Sequence, residues 1–307
     1  MAGLVRDKVA IVTGAGRGIG RGVALLMAAE GASVVVVDPG VSMDGTGADQ
    51  SVADEVVREI TQAGGRAVAS HESVATMEAG ERIVGAAVDS FGRLDIVVTC
   101  HGILRDRMVF NMTEQEWDDV IAVHLKGTFS LVKPASVLFR QQRSGKMVTF
   151  SSTSGLYGNS GQANYGAAKD GIAGLTRVVA REMGKYGVTV NSVSPSAATR
   201  MFVSIPGEAR ALRSERGIMG ASGASEGVRG GPEDVAPFTV WLTSDEAAHV
   251  NGHIFNVAGG MVALLNDPEP VKTLHKEGRW TVEELIRVFP ATLGVELYNP
   301  APPQATA

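Results

Sequence analysis

The stretch Thr13-Gly-Ala-Gly-Arg-Gly-Ile-Gly20 decides how the chain folds, because of the segments on either side of it. The apolar run Lys8–Thr13 predicts a β-strand, and the residues that follow the glycines, to about Glu30, predict a helix. Glycines allow a tight turn and close approach of the main chain to a ligand, while free N–H groups at a helix start attract phosphate. The stretch therefore predicts a phosphate-binding turn between a first strand and a first helix.

Short β-branched runs alternate with longer amphipathic stretches along the rest of the chain. The second run, Ala32–Val37, is continuously apolar, which is typical of a strand buried on both faces of a parallel sheet. The pattern predicts an α/β fold with a doubly wound parallel sheet, Rossmann-like, in a single domain with a C-terminal extension. Further strands are predicted at Arg66–Ser70, Leu94–Thr99, Lys146–Ser151, Val188–Val193 and His253–Val257, and helices at Val52–Ala63, Met77–Phe91 and Gly166–Tyr186.

Two boundaries follow from the same pattern. We expect a catalytic domain at residues 1–262 and an extension at 263–307, with a helix at Thr281–Val288. Ser204–Gly231 is rich in Gly and Ser, so it is either a surface loop or a mobile lid over the substrate. We assign residues 204–231 to a mobile substrate loop.

Composition restricts the class of protein. The net charge is −5 and no run of Lys or Arg stands out, so we expect neither nucleic acid nor a membrane as partner. The single cysteine, Cys100, cannot form an internal disulfide, which favours a reducing compartment, and we expect a cytoplasmic location. The histidines lack the spacing of a metal site, so no metal is expected.

Asp38 directly follows the second strand, where a Rossmann-like sheet binds the adenosine ribose of a dinucleotide. A carboxylate there accepts hydrogen bonds from the ribose hydroxyls and repels a 2′-phosphate, so it favours NAD over NADP as cofactor. A turn aspartate before Pro39 is the structural alternative, and Arg17 is a candidate partner for a phosphate.

Tyr165 and Lys169 are four residues apart at the start of a predicted helix, so both project from one face. A lysine ammonium near a phenol favours its ionised form, so we expect Lys169, together with the positive nicotinamide, to lower the pKa of Tyr165 and make it a general acid and base. Ser152 follows a strand at the carboxyl edge of the sheet, where its hydroxyl can stabilise charge on a substrate oxygen. A hydrolase is disfavoured, because no Gly-x-Ser-x-Gly motif surrounds Ser152.

Together these residues resemble the short-chain dehydrogenase/reductase family over about residues 6–262. The same family pattern includes Asp95, Asn191 with Pro195, Asn251-Gly252 and Gly259-Gly260. Within the family, four stretches resemble the 3-hydroxyacyl-CoA dehydrogenase domain of peroxisomal multifunctional β-oxidation enzymes, namely Asp44–Gly47, Gly102–Arg107, Val123–Phe129 and Ser154–Tyr165.

The resemblance implies an NAD(P)-dependent oxidoreductase that transfers a hydride between a nicotinamide and a secondary alcohol or ketone. The substrate implied is a small molecule with a 3-hydroxy or 3-oxo group, an acyl-CoA of fatty or steroid origin, and the assembly implied is a homotetramer or dimer. The implied cofactor site comprises Gly14, Arg17, Gly18, Ile19, Gly20, Asp38, Glu72, Ser73, Val74, His101, Gly102, Tyr165, Lys169, Pro195 and Thr199. Two alternatives stay open: a 3-oxoacyl-(acyl-carrier-protein) reductase that uses NADPH, and a weakly catalytic nucleotide-binding scaffold.

The chain departs from the family pattern at three places. Thr99-Cys100-His101-Gly102 stands where Asn-Asn-Ala-Gly is usual, and Ser196 replaces the glycine that usually follows Pro195. His124 occupies the place of the helix asparagine that joins a water relay to the catalytic lysine, as it does in the hydroxyacyl-CoA subgroup. We therefore add His124 to the catalytic set of Ser152, Tyr165 and Lys169.

Overall fold

The computed structural model describes residues 3–197, 230–297 and 299. Many of its strand residues are β-branched, and such side chains pack well on a pleated surface. The strands are β1 (Val9–Thr13), β2 (Ser33–Val37), β3 (Arg66–Ser70), β4 (Ile96–Thr99), β5 (Gly145–Phe150), β6 (Val188–Pro195), β7 (Ile254–Ala258) and β8 (Met261–Leu264).

Amphipathic stretches between the strands form the helices. Several begin at a threonine whose side chain accepts a hydrogen bond from the first turn, as Thr76 and Thr113 do. The helices are α1 (Gly18–Ala29), α2 (Ser51–Gln62), α3 (Met77–Phe91), α4 (Glu114–Ile121), α5 (Gly127–Gln142), α6 (Thr153–Leu156), α7 (Ala163–Met183), α8 (Ala236–Leu242) and α9 (Val282–Val288).

The strands form one sheet in the order β3-β2-β1-β4-β5-β6-β7-β8. Every pairing is parallel except the last, in which β8 runs antiparallel to β7. Strand β1 pairs with both β2 and β4, so the order of the strands reverses at the carboxyl ends of β1 and β4. The predicted doubly wound α/β sheet is confirmed, and this reversal is where such a sheet opens a crevice for a ligand.

The burial of strand β2 on both faces of the sheet explains why its sequence is continuously apolar. All five of its residues are buried, and successive side chains point to opposite faces of the sheet. Val34 and Val36 pack in the cluster that contains residues of α1 and α2, whereas Val35 and Val37 pack with residues of α3 and α5. The core is therefore double, with one apolar layer on each face of the sheet.

One long helical segment departs from regular geometry. Helices α4 and α5 are joined without a break by a π-helical turn at Ala122–Lys126, at the centre of which His124 is 1% exposed. Such turns are rare and are often found at functional sites. The turn was not predicted, and it directs His124 towards the carboxyl edge of the sheet.

The segment after β7 contains the predicted helix of the extension. Helix α9 follows Thr281, close to the predicted bounds Thr281–Val288, and the side chains of Thr281 and Glu284 cap each other's main chain. The domain boundary at residue 262 stays a prediction, and Ser204–Gly231 lies outside the described residues apart from Gly230 and Gly231. In the described ranges, no helix has the length and apolar character required to cross a membrane.

Candidate active site

The glycine turn after β1 has the geometry of a phosphate-binding loop. Gly14 has φ +64°, and a Cβ on it would lie 2.7 Å from the Cα of His101 at the end of β4. A Cβ on Gly20 would collide with the carbonyl oxygen of Gly14, so the first turn of α1 packs tightly on the loop. Gly18, by contrast, has φ +55° and faces open space. No side chain therefore covers the main chain at Gly18, where α1 begins. Gly18 is exposed, and its neighbours Arg17 and Ile19 are half-buried.

Asp38 is fixed at the carboxyl end of β2 by two main-chain donors. Its Oδ2 accepts a hydrogen bond from Gly16 N at 2.9 Å, and its Oδ1 accepts one from Gly40 N at 2.8 Å. Each carboxylate oxygen has a further lone pair with which to accept a hydroxyl hydrogen. The contact with Gly16 brings the carboxylate beside the phosphate-binding turn, so these residues fit a dinucleotide whose ribose lies at Asp38.

Three residues of the implied cofactor site, Glu72, Ser73 and Val74, lie after the end of β3. The carboxylate of Glu72 accepts two hydrogen bonds from Arg82, at 2.7 and 2.8 Å, and this partner lowers the pKa of Glu72. Val74 is 5% exposed, and its carbonyl accepts a hydrogen bond from the Ser130 hydroxyl at 2.8 Å. Glu72, Ser73 and Val74 therefore lie between β3 and α3, where the Arg82 pair fixes the acid.

His101 joins the phosphate-binding turn to the π-helical turn. Its Nδ1 lies 2.6 Å from the Thr13 hydroxyl, and the carbonyls of Val123 and His124 face the ring from the other side. An Nε2–H donor towards those carbonyls requires Nδ1 to accept the Thr13 hydrogen. A buried imidazole thus connects two elements at the position where the family pattern has an alanine after its Asn pair. The buried hydroxyl of Thr99, in the same segment, has no hydrogen-bond partner among the described residues.

Burial makes His101 a source of acid sensitivity. It lowers the pKa of His101 from 6.5 to about 3, helped by the charge of Lys169. The unfolded chain binds the proton first, so the stabilisation is complete above pH 6.5 and is lost as pH falls towards about 3. As pH is lowered from 6.5 towards 3, we expect the free energy of unfolding to fall more steeply in wild type than in His101→Asn. The two slopes should differ by about 1.4 kcal/mol per pH unit.

Urea unfolding at a series of pH values between those two pKa values measures this difference. The matched control is His249→Asn, since His249 is exposed. Its curve should parallel that of the wild type. If the His101→Asn curve also ran parallel to the wild type, His101 would not be the buried neutral group described above.

The predicted catalytic residues converge at the carboxyl edge of β5. Ser152 follows β5 and caps α6, and its hydroxyl is in hydrogen-bonding reach of the Tyr165 hydroxyl. Lys169 is 5% exposed, its Nζ donates to the carbonyl of Phe150 at 2.7 Å, and it lies 5.6 Å from the centre of the Tyr165 ring. The structure therefore brings Ser152, Tyr165 and Lys169 together, as their positions in the sequence predicted.

The groups of the protein alone do not lower the pKa of Tyr165, and the lowering expected with a bound nicotinamide stays a prediction. Burial raises the pKa of Tyr165 to about 12, although the Ser152 hydrogen bond lowers it, and Asp106 raises it further. Burial also lowers the pKa of Lys169 to about 8. The protein's own groups therefore favour a protonated phenol, the form that can give a proton to a carbonyl.

His124 lies against the ring of Tyr165, and the charge of Lys169 acts on it. The two rings meet edge to face with their centres 5.0 Å apart, and His124 Nε2 lies 2.8 Å from the carbonyl of Ile103 and 3.1 Å from its N–H. Among the described residues, nothing hydrogen-bonds to its buried Nδ1. Burial, with the charge of Lys169, lowers the pKa of His124 well below its ordinary value. A neutral imidazole therefore packs edge to face on the ring of Tyr165. A glycine is required at position 102, because a Cβ there would collide with the ring of His124.

Other predicted residues hold the sheet or lie beyond the described range. Asp95 accepts from Val9 N at 2.9 Å, and Asn191 donates to the carbonyl of Val250 at 2.8 Å, so both tie strands or their connections together. Pro195 is half-buried at the end of β6, on the same edge as the catalytic residues. Thr199 lies outside the described residues. In the ranges described, no group of three or more His, Cys, Asp or Glu side chains is arranged to hold a metal.

Sequence reasoning missed the contacts that hold the start of α7. Asn164 is fully buried, and its Nδ2 donates to the carbonyls of Arg105 at 3.1 Å and Glu116 at 2.9 Å. Gln162 Nε2 donates to both oxygens of Asp106, at 3.1 and 2.9 Å. The signal available was the polar pair Gln162 and Asn164 just before Tyr165, which amphipathic periodicity does not explain.

Comparison with known proteins agrees with this geometry. A family model described as enoyl-(acyl carrier protein) reductase matches residues 14–262. A short-chain type dehydrogenase/reductase of Mycobacterium tuberculosis is 45% identical over 84% of each chain, and the hydroxyacyl-CoA dehydrogenase ChsB1 of that organism is 39% identical over 91% of this chain and 86% of its own. The peroxisomal multifunctional enzyme type 2 of Mus musculus is 41% identical over 84% of this chain, which spans 32% of that enzyme.

A solved structure, that of a short-chain dehydrogenase from Mycobacterium avium, superposes with a TM-score of 0.80 at 42% identity, over 99% of this chain and 98% of that one. The chain belongs to the short-chain dehydrogenase/reductase family. It is accordingly an oxidoreductase with a nicotinamide cofactor and a small-molecule substrate. The resemblance inferred from the motifs, including that to the peroxisomal multifunctional enzymes, is confirmed.

Proposed function

We propose that the protein catalyses the NAD-dependent interconversion of 3-hydroxyacyl and 3-oxoacyl thioesters, with acyl-CoA of fatty or steroid origin as the substrate class. The observation that carries the proposal is the meeting of Ser152, Tyr165 and Lys169 at the edge of the sheet beside the glycine turn. The similarity to proteins named for hydroxyacyl-CoA and peroxisomal multifunctional activities supports the substrate class.

In the proposed reaction, Tyr165, Ser152 and Lys169 each act through one polar group of the side chain. The phenolic oxygen of Tyr165 gives a proton to the substrate oxygen in reduction and takes one in oxidation. The Ser152 hydroxyl donates a hydrogen bond to the same substrate oxygen, and the ammonium of Lys169 favours the phenolate when it forms. When bound, the nicotinamide supplies or accepts the hydride.

We propose His124 as a further member of this set. Its edge-to-face contact with Tyr165 holds the phenol ring in place, and its buried Nδ1 gives a proton relay an acceptor close to Lys169. This arrangement supports a relay in place of the one formed by the family's asparagine.

Asp38 supports NAD over NADP as the cofactor. Asp38→Asn removes the charge but keeps one oxygen to accept from Gly16 or Gly40, so the loop should keep its shape. Because a 2′-phosphate is no longer repelled, we expect the ratio of the NADPH to the NADH dissociation constant to fall about tenfold or more. Fluorescence titration with each reduced cofactor measures both constants without a substrate.

The control for that titration is Asp49→Asn, because Asp49 is an exposed carboxylate of the same loop whose partner is Ser51. It should leave the ratio unchanged. A wild type that binds NADPH as tightly as NADH would contradict the assignment of Asp38.

A panel of substrates tests the proposal as a whole. It comprises 3-hydroxyacyl-CoAs, carrier-protein thioesters and hydroxysteroids, each offered with NAD and NADP, and their oxo forms with NADH and NADPH. We expect the highest kcat/KM with 3-hydroxyacyl-CoA and NAD. A preference for carrier-protein thioesters with NADPH would favour instead a 3-oxoacyl-(acyl-carrier-protein) reductase, the activity for which one relative is named. Cofactor binding without any turnover would favour a nucleotide-binding scaffold.

The compartment and the assembly are also proposals. The lone Cys100 supports a reducing, cytoplasmic location. A homotetramer or dimer is proposed from the family resemblance, and light scattering coupled to gel filtration measures it.

A further inference from the structure

The first turn of α7 is held at Tyr165 by the side chain of Asn164. The first N–H groups of any helix lack a partner within the helix, and Gln162, the residue that precedes α7, provides no side-chain cap. The main-chain N–H of Tyr165 instead donates to Asn164 Oδ1 at 2.7 Å. The residue that transfers the proton under the proposed function therefore has its main chain fixed by the side chain before it.

Asn164 is itself fixed by two segments that are distant in the sequence. It is fully buried, and its Nδ2 donates to the carbonyl of Arg105 at 3.1 Å and to that of Glu116 at 2.9 Å. These bonds determine the orientation of the amide, because its NH₂ group must face the two carbonyls and its oxygen the N–H of Tyr165. The side chain thus ties the start of α7 to α4 and to the segment after β4.

The segment after β4 also supports the ring of the same tyrosine. The N–H and the carbonyl of Ile103 lie 3.1 and 2.8 Å from Nε2 of His124, whose ring packs edge to face on Tyr165. Two residues later, the carbonyl of Arg105 accepts from Asn164. Tyr165 is therefore supported twice from one short stretch of main chain, through its backbone and through its ring.

We infer that Asn164 is a positioning residue, which places the Tyr165 hydroxyl for proton transfer without touching substrate or cofactor. The inference rests on the proposed function and deepens it. A proton donor must lie within hydrogen-bonding reach of the reacting oxygen, and a displacement of about 1 Å can lower a rate about 10²-fold. Asn164 should therefore matter to the rate only while the Tyr165 hydroxyl is present, whereas a purely structural residue would matter with or without it.

A double-mutant cycle of Asn164→Ala and Tyr165→Phe tests this difference. The measurement is kcat/KM for acetoacetyl-CoA reduced with NADH, divided by the number of NADH-binding sites that fluorescence titration counts. We expect Asn164→Ala alone to lower this value about 10- to 100-fold, with little change in the dissociation constant of NADH. In the Tyr165→Phe background, the same substitution should lower it less than about twofold, because no hydroxyl remains to be placed.

The matched control is Asn251→Ala, at the other end of α7. Asn251 makes hydrogen bonds of the same kind, since its Nδ2 donates to the carbonyl of Ala180 at 3.1 Å and its Oδ1 accepts from Val190 N at 2.8 Å. The substitution should lower the free energy of unfolding and leave kcat/KM per NADH-binding site at the wild-type value.

Two results of the cycle would overturn the inference: a wild-type rate in Asn164→Ala, or equal losses with and without the Tyr165 hydroxyl. If Asn164→Ala does not bind NADH, Asn164→Ser, which keeps a polar group at the buried position, replaces it in the cycle. If neither variant binds NADH, Asn164 is a folding residue and the inference is wrong. A wild type that does not reduce acetoacetyl-CoA, or a Tyr165→Phe variant at the wild-type rate, would overturn the proposed function instead, which distinguishes the two failures.

Discussion

Tyr165→Phe is expected to lower kcat/KM by about 10³-fold, which is within the range that general acid–base catalysis contributes. The substitution removes the hydroxyl near Ser152 and leaves the ring, which keeps its contact with His124. Because the hydroxyl serves mainly to donate or accept the proton, NADH should bind with little change in its dissociation constant. Steady-state kinetics and a fluorescence titration measure the two quantities separately.

The matched control is Tyr186→Phe, which removes a hydroxyl at the far end of the same helical region, where Arg143 and Lys185 lie over the ring. It should retain the wild-type rate. A Tyr165→Phe enzyme with near wild-type kcat/KM would mean that another group transfers the proton.

Lys169→Met is expected to lower kcat/KM by at least about 10²-fold. The ammonium is 5.6 Å from the centre of the Tyr165 ring, and methionine has a similar length without the charge. The variant loses the donor to the carbonyl of Phe150, so we expect the start of α7 to be less firmly placed as well. The measurement is kcat/KM with the preferred thioester at neutral pH.

We do not expect unfolding of Lys169→Met to explain its lower kcat/KM. Burial lowers the pKa of Lys169 from 10.5 to about 8, so the unfolded chain holds the proton more tightly than the folded protein. The lysine therefore destabilises the fold below pH 8, and this penalty disappears as pH rises to 10.5. Methionine removes the penalty, which offsets the unpaired carbonyl of Phe150.

The control for Lys169→Met is Lys133→Met, at an exposed position of α5. Its activity should match the wild type. If Lys169→Met folded and turned over thioester normally, the ammonium would have no part in the reaction.

The sequence predicted the sheet well because the requirements of a buried parallel strand are visible in single residues. Ala32–Val37 was continuous in its apolar character, and β2 is buried on both faces as that character required. The glycine turn and Asp38 were also predicted, since their positions relative to β1 and β2 are local in the chain. The position of Ser152 was predicted for the same reason, because it directly follows the residues of β5.

Contacts between distant segments could not be predicted in the same way. Thr13 and His101 are 88 residues apart, and nothing in either segment alone indicates that one accepts a hydrogen bond from the other. The π-helical turn at Ala122–Lys126 was missed because an inserted turn barely changes the apolar periodicity of a long helix. The effect of burial on the pKa of Tyr165 was not predicted, because the sequence shows the neighbouring Lys169 but not the surroundings of the phenol.

The altered segment Thr99–Gly102 becomes understandable through these distant contacts. His101 reaches the Thr13 hydroxyl on one side and the carbonyls of the π-helical turn on the other, and His124 packs on Gly102 and Tyr165. Two buried imidazoles thus provide polar contacts around the site where the family pattern relies on asparagines. The catalytic role of His124 and the cofactor-binding roles of His101 and of Thr199, which lies outside the described residues, stay predictions.

Transfer of deuterium tests the central proposal most directly. A 3-hydroxyacyl-CoA that carries deuterium at C3 is incubated with NAD and the wild-type protein, and the NADH formed is analysed by mass spectrometry. We expect NADH to accumulate and its nicotinamide to carry the deuterium, and we expect Tyr165→Phe to form the labelled NADH about 10³-fold more slowly. Failure to form NADH, or NADH that lacks the label, would contradict direct hydride transfer from a 3-hydroxyacyl thioester.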